Sequence, residues 1–395
     1  MPNLIGRRQL LAGAGAALVA GTLDGCTVGN GAFVRGASTA PPLELPRLRA
    51  SVDRITSITV CTRPFRAAGP RIEVEQIDRT TVVHNYGHGG SGWSLSWGSA
   101  AAATRLALES GQRDVAVVGC GALGLTTALQ LQRAGARVVI YAKDVPPQVR
   151  SSLATGVWSP DSRVCLESYA TAEFKRLWEA MARDSYRTYQ TLLGLPGDPV
   201  EFFDNYFVSD GPTAAKRHPA EAAGRPPFAR LQRELLADQL TEPMEFAPGS
   251  HSFGARTLRR TAQMMFNIPA YSRLLMADFL AGGGRIEVAE FNSPSEFARL
   301  HERTVVNATG YGARALFRDE SLAPVRGQLA HLIPQTDLHY GLVYRDVAFV
   351  PRRDGLVFQV LGTDDYYGYG DESTTPDRAE AELAVRTIEA LFTAS

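Results

Sequence analysis

The chain has 395 residues, 45% of them hydrophobic, enough to bury one large core or two modest ones, which excludes a fibrous or wholly disordered protein. Lys plus Arg and Asp plus Glu each total 41, so no net field draws the chain to nucleic acid or to an anionic membrane. The composition points to a globular protein that holds a small substrate by direct contact.

The first element in chain order reads as an export signal. Arg7-Arg8 precede a mild apolar run, Leu10 to Leu23, that is too short and too rich in Gly and Ala to span a bilayer. The arginine pair reads as a twin-arginine signal over residues 1–26, and the mature protein is expected in the periplasm or anchored to a membrane. Leu23-Asp24-Gly25-Cys26 also resembles a lipoprotein cleavage box, with Cys26 as the lipid-anchor position. Residues 27–44 are rich in Gly, Ser, Thr, Ala and Pro without periodicity, as suits a flexible tether. Beyond it, Cys61, Cys120 and Cys165 have no paired spacing and read as buried small hydrophobes.

Next comes His84-Asn85-Tyr86-Gly87-His88-Gly89-Gly90-Ser91-Gly92, followed by Trp93-Ser94-Leu95-Ser96-Trp97-Gly98. Its glycines let backbone N–H groups reach a ligand, and a helix is predicted to begin at Gly98. The two histidines are four apart, but the glycines between them break the helix that would align them, so no metal is expected.

Asp114 to Gly135 then reads as strand, glycine turn and helix, ending in a glycine stop. In that setting Gly119 permits the tight turn, Gly121 lets backbone approach a pyrophosphate, and Gly124 allows close helix packing. The N–H groups that open the helix, at Ala122 and Leu123, face the phosphates. A second strand, Arg137 to Ala142, completes a βαβ unit, and Asp144, after Lys143, is the candidate ribose-binding acid. The turn alone does not choose between FAD and NAD. Thr304 to Gly310, a strand ending in Ala-Thr-Gly, resembles the later cofactor strand of two-domain flavoproteins and favours FAD.

Over its whole length, the segment from Val82 to Ala100 closely resembles the signature of the D-amino-acid oxidase family. Thr62-Arg63-Pro64-Phe65-Arg66 resembles the family's RPxR segment, and Ala154-Thr155-Gly156-Val157-Trp158-Ser159-Pro160 its turn beside the flavin. Arg326-Gly327-Gln328 and Phe349-Val350-Pro351 match later segments, so the resemblance covers nearly all the chain beyond the tether. It implies an α/β fold, α+β in overall arrangement: a Rossmann-like FAD-binding domain from 60–160 and 252–327, and a mixed-sheet substrate domain from 45–59, 161–251 and 328–395.

The same resemblance implies FAD contacts at Gly119, Gly121, Ala122, Leu123, Gly124 and Asp144. Around the flavin ring it implies Thr155, Gly156, His88, Gly89, Gly90, Ser91, Gly92, Trp93 and Ser94. Arg63 would bind the substrate carboxylate. The implied reaction oxidises the CH–NH2 group of a D-amino acid to the imino acid by hydride transfer to flavin N5, with O2 reduced to H2O2. A dehydrogenase with another electron acceptor and a flavin-bound binding protein without catalysis are the alternatives.

Two departures from the family pattern stand out. The RPxR and HNYGHGG segments precede the dinucleotide turn instead of following it, and Ser110-Gly111-Gln112-Arg113 joins the two parts, as in a circular permutation. Ala348 occupies the position of a carboxylate-binding tyrosine, so Tyr344, with Tyr340 and Tyr366 behind it, is the candidate replacement. Asp364 to Asp371 reads as a solvated turn in preference to a pocket-side loop.

Overall fold

Two β-sheets organise the chain, and each takes strands from both sides of the dinucleotide turn. The structure is a computed structural model that describes residues 42–211 and 224–393. The expected export signal, with Arg7, Arg8 and Cys26, and nearly all of the tether lie outside the described residues.

In chain order the main elements are β1 (Ile55–Arg66), β2 (Val74–Ile77), β3 (Thr80–His84), α1 (Ser96–Leu108), β4 (Asp114–Val118), α2 (Ala122–Arg133) and β5 (Arg137–Ala142). There follow α3 (Ala172–Gln190), β6 (Val200–Ser209), β7 (Met244–Phe246), β8 (Thr257–Phe266), α4 (Ile268–Ala281), β9 (Arg285–Val288) and β10 (Thr304–Asn307). Last come β11 (Leu322–Leu332), β12 (Tyr340–Tyr344), β13 (Val347–Arg352), β14 (Gly355–Val360) and α5 (Arg378–Thr393).

The six-stranded sheet has the order β2-β3-β10-β4-β5-β9, parallel except where β2 turns back on β3. Its central strands carry apolar side chains on both faces, as covered parallel strands must. On one side Val115, Val117 and Ile140 pack with Trp97, Leu125, Leu129, Trp178 and Tyr271 from the helices. On the other, Val82, Ala116 and Val305 meet Phe297 and Leu316. Full burial of each such side chain contributes roughly 1.5–3 kcal/mol.

The eight-stranded sheet has the order β1-β11-β14-β13-β12-β6-β8-β7. One face buries Leu342, Phe349 and Phe358 against Val385, Ile388 and Leu391 of α5. Leu48 and Ala50 join the same cluster, so the first folded residues and the last helix share one core.

The sheets divide the chain differently from the sequence expectation. The ladder from Ser57–His331 to Arg66–Leu322 keeps β1 whole within the eight-stranded sheet, so a boundary at residue 60 would cut it. β8 also belongs there, paired from Val200–Phe266 to Ser209–Thr257. Splitting either ladder would orphan backbone donors and acceptors. Conversely, α3 sits on the core of the other layer, where Ser185 Oγ accepts a hydrogen bond from Gly98 N at 2.9 Å. Ordered pairing also starts before residue 45: Leu43 N donates to Ser250 O at 2.8 Å. The helix expected at Gly98 begins at Ser96.

Candidate cofactor and substrate site

One cavity of about 930 Å³ links the segments that the sequence singled out. At one end it is bordered by Asp144 and Glu290, in the middle by Gly119 to Leu123 and Ala308 to Gly312, and at the other end by His88 to Gly90, Arg63 and Arg163. That volume lies at the upper end of the range for ligand sites and suits a long dinucleotide.

The dinucleotide end follows from strand β4 running into α2. Gly119 has φ +112°, and a Cβ there would lie 2.5 Å from Ala308 O, so only glycine lets the turn pass beneath β10. Gly124 does not line the cavity; its Cα packs on the Gly119 carbonyl and brings α2 against the turn. The helix starts without a side-chain cap at Gly121, and Ala122 N donates to Ser151 Oγ at 3.0 Å. The remaining positive end is suited to an anion. Lys143 Nζ pairs with Glu290 Oε1 at 2.7 Å, which leaves Asp144 as the acid at the end of β5 beside the cavity.

Hydrogen bonds that bury their own side chains hold the ring end. Trp93 Nε1 donates to Ser151 O at 2.8 Å, Ser94 Oγ accepts from Ser159 N at 2.8 Å, and Ser91 Oγ donates to Ser162 O at 3.2 Å. Ser91 therefore ties the motif to the 159–163 turn and does not line the cavity. Thr155 Oγ1 donates to Gln359 Oε1 at 2.6 Å, linking the turn at Gly156 to β14.

His88 is fully buried, with Nε2 2.8 Å from Ser99 Oγ. Ser99 gives its own proton to Asn85 Oδ1 at 2.6 Å, so Nε2 must carry the hydrogen and Nδ1 is an acceptor. That Nδ1 is buried without a protein partner among the described residues, and burial pushes the imidazole down to about 3, keeping it neutral. His84 is held differently, by Glu75 at 3.0 Å and Asn307 at 3.1 Å, with its ring edge-on to Tyr86 at 5.6 Å. A glycine-lined turn, an open helix start and an unpartnered buried acceptor on the cavity wall together fit a flavin dinucleotide.

The substrate end lies between β1 and the row formed by Val343, Ala348 and Gln359 across β12, β13 and β14. Arg63 reaches it from β1, its Nη1 donating to Arg326 O at 3.2 Å. Asn205 and Phe207 project from β6, and Asn205 Nδ2 donates to Gln263 Oε1 at 3.0 Å.

Tyr344 is not there. Strand residues alternate faces, so with Val343 turned to the cavity Tyr344 points away, donating its hydroxyl to Asp210 at 2.9 Å with Arg345 over its ring. Tyr340 donates to Pro46 O and Tyr366 to Pro226 O, both at 2.6 Å. The wall at Ala348 stays apolar, without a tyrosine in its place. The Asp364 to Asp371 segment, expected as a solvated turn, instead borders a side cavity of about 240 Å³ with Asp364, Asp365 and Tyr367.

Sequence reasoning missed Arg163, Asn205, Gln263 and Gln359. Arg163 was within reach of it, three residues past the flavin-side turn that ends at Pro160. The others sit on strands with no glycine signature to mark them.

Residues 114–395 match the family model DAO, FAD dependent oxidoreductase. A D-amino-acid oxidase from Rubrobacter xylanophilus is 30% identical over 286 residues, covering 70% of this chain and 76% of its own. Its counterpart from Streptomyces coelicolor is 27% identical over 288 residues, covering 70% and 77%. Among solved structures, a glycine oxidase from Bacillus cereus covers 71% of this chain and 78% of its own, at 13% identity with a TM-score of 0.45.

Proposed function

The chain belongs to the DAO family of FAD-dependent oxidoreductases, and on that footing we propose that it oxidises the CH–NH2 group of a D-amino acid, with O2 as electron acceptor. The observation that carries this reading is the single cavity running from the Gly119 turn, past His88, to Arg63. The chemistry FAD supplies when bound is acceptance of hydride from the substrate Cα while the amine lone pair closes the C=N bond, two electrons then passing with two protons to O2.

The protein's own part is orientation. Arg63 offers an always-charged fork to the α-carboxylate, and the clamp holds the Cα–H bond in one direction. The neutral His88 accepts a hydrogen bond at Nδ1 without adding charge. The apolar wall of Val343, Ala348 and Val350 keeps water from the reacting carbon. Released imino acid hydrolyses to the keto acid and ammonia.

Oxygen uptake and peroxide release across D-amino acids, L-amino acids and glycine derivatives test the proposal. D-specific peroxide formation that falls about 100-fold or more in Arg63→Ala supports it. Reduction of the flavin without peroxide would turn the reading toward a dehydrogenase.

We also propose that the chain order is a circular permutation. What supports it is the family match beginning at Asp114, while the preceding β1 and β3 pair with β11 and β10 from the matched part. The Ser110 to Arg113 joint is exposed, as a former terminus would be. Export through the twin-arginine signal, with or without lipid at Cys26, completes the proposal; fractionating cells that carry Arg7→Lys and Arg8→Lys together tests it.

A further inference from the structure

Two arginines stand where the main cavity meets its side cavity: Arg63 from β1 and Arg163 from the turn after Pro160 both line each of them. Among the described residues neither has a carboxylate within 4.0 Å. Their only side-chain hydrogen bonds among the described residues go to backbone carbonyls, Arg63 Nη1 to Arg326 O at 3.2 Å and Arg163 Nε to Asp365 O at 2.5 Å. Both Nη groups of Arg163 are left without a protein acceptor among the described residues.

The acids bordering the side cavity are engaged elsewhere. Asp365 pairs with Arg230, and Asp364 lies 3.8 Å from Arg225 and accepts from Tyr366 N at 2.9 Å. Asp161, two residues before Arg163, accepts from Gln232 N at 3.0 Å. Burial, reinforced by the charges of Arg63 and Arg230 and offset only in part by Asp365 and Asp364, pushes the Arg163 guanidinium down to about 10, so Arg63 and Arg163 repel each other across the junction. Holding two like charges in a partly desolvated site is costly unless an anion joins them.

A single carboxylate uses one fork. We propose that this site selects D-amino acids whose side chain carries a second anionic group, Arg63 holding the α-carboxylate and Arg163 the distal one. The row of Val343, Ala348 and Gln359 bounds the same space but supplies no charge, so a neutral side chain would leave Arg163 unsatisfied. Arg163 is on this view the specificity-determining residue, and the inference rests on the reaction and the Arg63 role proposed above.

The test compares D-aspartate and D-glutamate with D-alanine, D-asparagine and D-glutamine in the FAD-loaded enzyme. The expected wild-type kcat/KM is about 100-fold higher for the better acidic substrate than for its amide. Arg163→Gln should remove that preference, lowering the acidic substrate by about 100-fold while D-alanine changes less than about threefold. Arg163→Lys should restore part of it, a check that does not depend on the glutamine variant folding well.

A wild type that prefers neutral substrates, or a glutamine variant that loses D-alanine and D-aspartate equally, overturns the proposal. The second outcome would place both arginines on one carboxylate. Binding separates this failure from failure of the reaction itself: succinate and butyrate are titrated against the flavin absorbance without turnover. Succinate acting at about tenfold lower concentration, with the advantage lost in Arg163→Gln, upholds the two-cation site even if no D-amino acid is oxidised. Equal potency of the two acids overturns it.

Discussion

The guanidinium of Arg63 rests against the bare Cα of Gly327: a Cβ there would fall 2.5 Å from Nη2 and 2.7 Å from Cζ. Gly327 pairs with Cys61 across the β1–β11 ladder, and Arg63, two residues on, shares its face of β1. The proposed substrate clamp is thus aimed by a glycine on the neighbouring strand. Gly327→Ala should push the fork aside and lower kcat/KM for the best substrate by about 10- to 100-fold, the order expected for an ångström of misplacement. FAD content, read from the absorbance ratio, should stay at the wild-type level. An alanine enzyme with full kcat/KM would mean that Arg63 does not position the substrate.

Gly119→Val addresses the other end of the cavity. With φ at +112° and Ala308 O 2.5 Å from the new Cβ, the turn cannot keep its path beneath β10. The variant is expected to purify without stoichiometric flavin and to need at least about 100-fold more FAD for half-saturation, as read by quenching of flavin fluorescence. Wild-type affinity in this variant would move the pyrophosphate site away from Gly119.

His88 makes a pH prediction with a definite sign. In the unfolded chain it titrates near its ordinary value of 6.5, whereas in the folded protein burial keeps it neutral down to about 3. Between those values the unfolded chain binds the extra proton. Stability is therefore complete above pH 6.5 and is lost as the pH falls, by up to about 1.4 kcal/mol per pH unit from this residue. His88→Gln should shrink the drop in Tm between about pH 7 and about pH 4.5 relative to wild type. The same substitution should leave the pH–rate profile above about pH 5 without a missing limb, since no proton leaves His88 there. An unchanged Tm drop would mean that the folded protein already holds His88 charged.

Chain order can be tested by reversing it. Leu43 and Leu45 pack on the same cluster as α5, and Phe253 meets Phe392 at 5.7 Å, which draws the two ends of the folded chain to one region. A protein opened between Gly111 and Gln112, with residues 393 and 42 joined by a Gly/Ser linker of about eight residues, should fold and bind FAD. Its stability is expected within about 2 kcal/mol of the original by urea unfolding. Failure to bind FAD despite a folded far-UV spectrum would count against the permutation.

The parts of this protein legible in its sequence are those encoded by contiguous residues. Gly119, Gly121 and Gly124 between a β-branched strand and a helix specify a turn whatever surrounds it, because backbone conformation and close approach are local demands. The HNYGHGG segment carries its own geometry in the same way, and so does the apolar patterning of β4 and β10. Even so, the sequence placed a domain boundary inside β1, because a cross-strand ladder leaves no mark at the residue where it would be cut.

Only the tertiary structure decided which side chains share the candidate substrate space. Tyr344 and Val343 are adjacent in sequence, yet the period-two alternation of β12 sends Val343 to the cavity and Tyr344 to Asp210. Register across β12, β13 and β14 sets Val343, Ala348 and Gln359 in one row, and nothing in any of those three strands alone announces it. Arg163 joins Arg63 from 100 residues away because the turn after Gly156 folds back over the HNYGHGG segment, where Ser91 and Ser94 pin it. Cofactor chemistry was written in local turns; the proposed substrate choice depends on charges that meet only when two sheets close on one cavity.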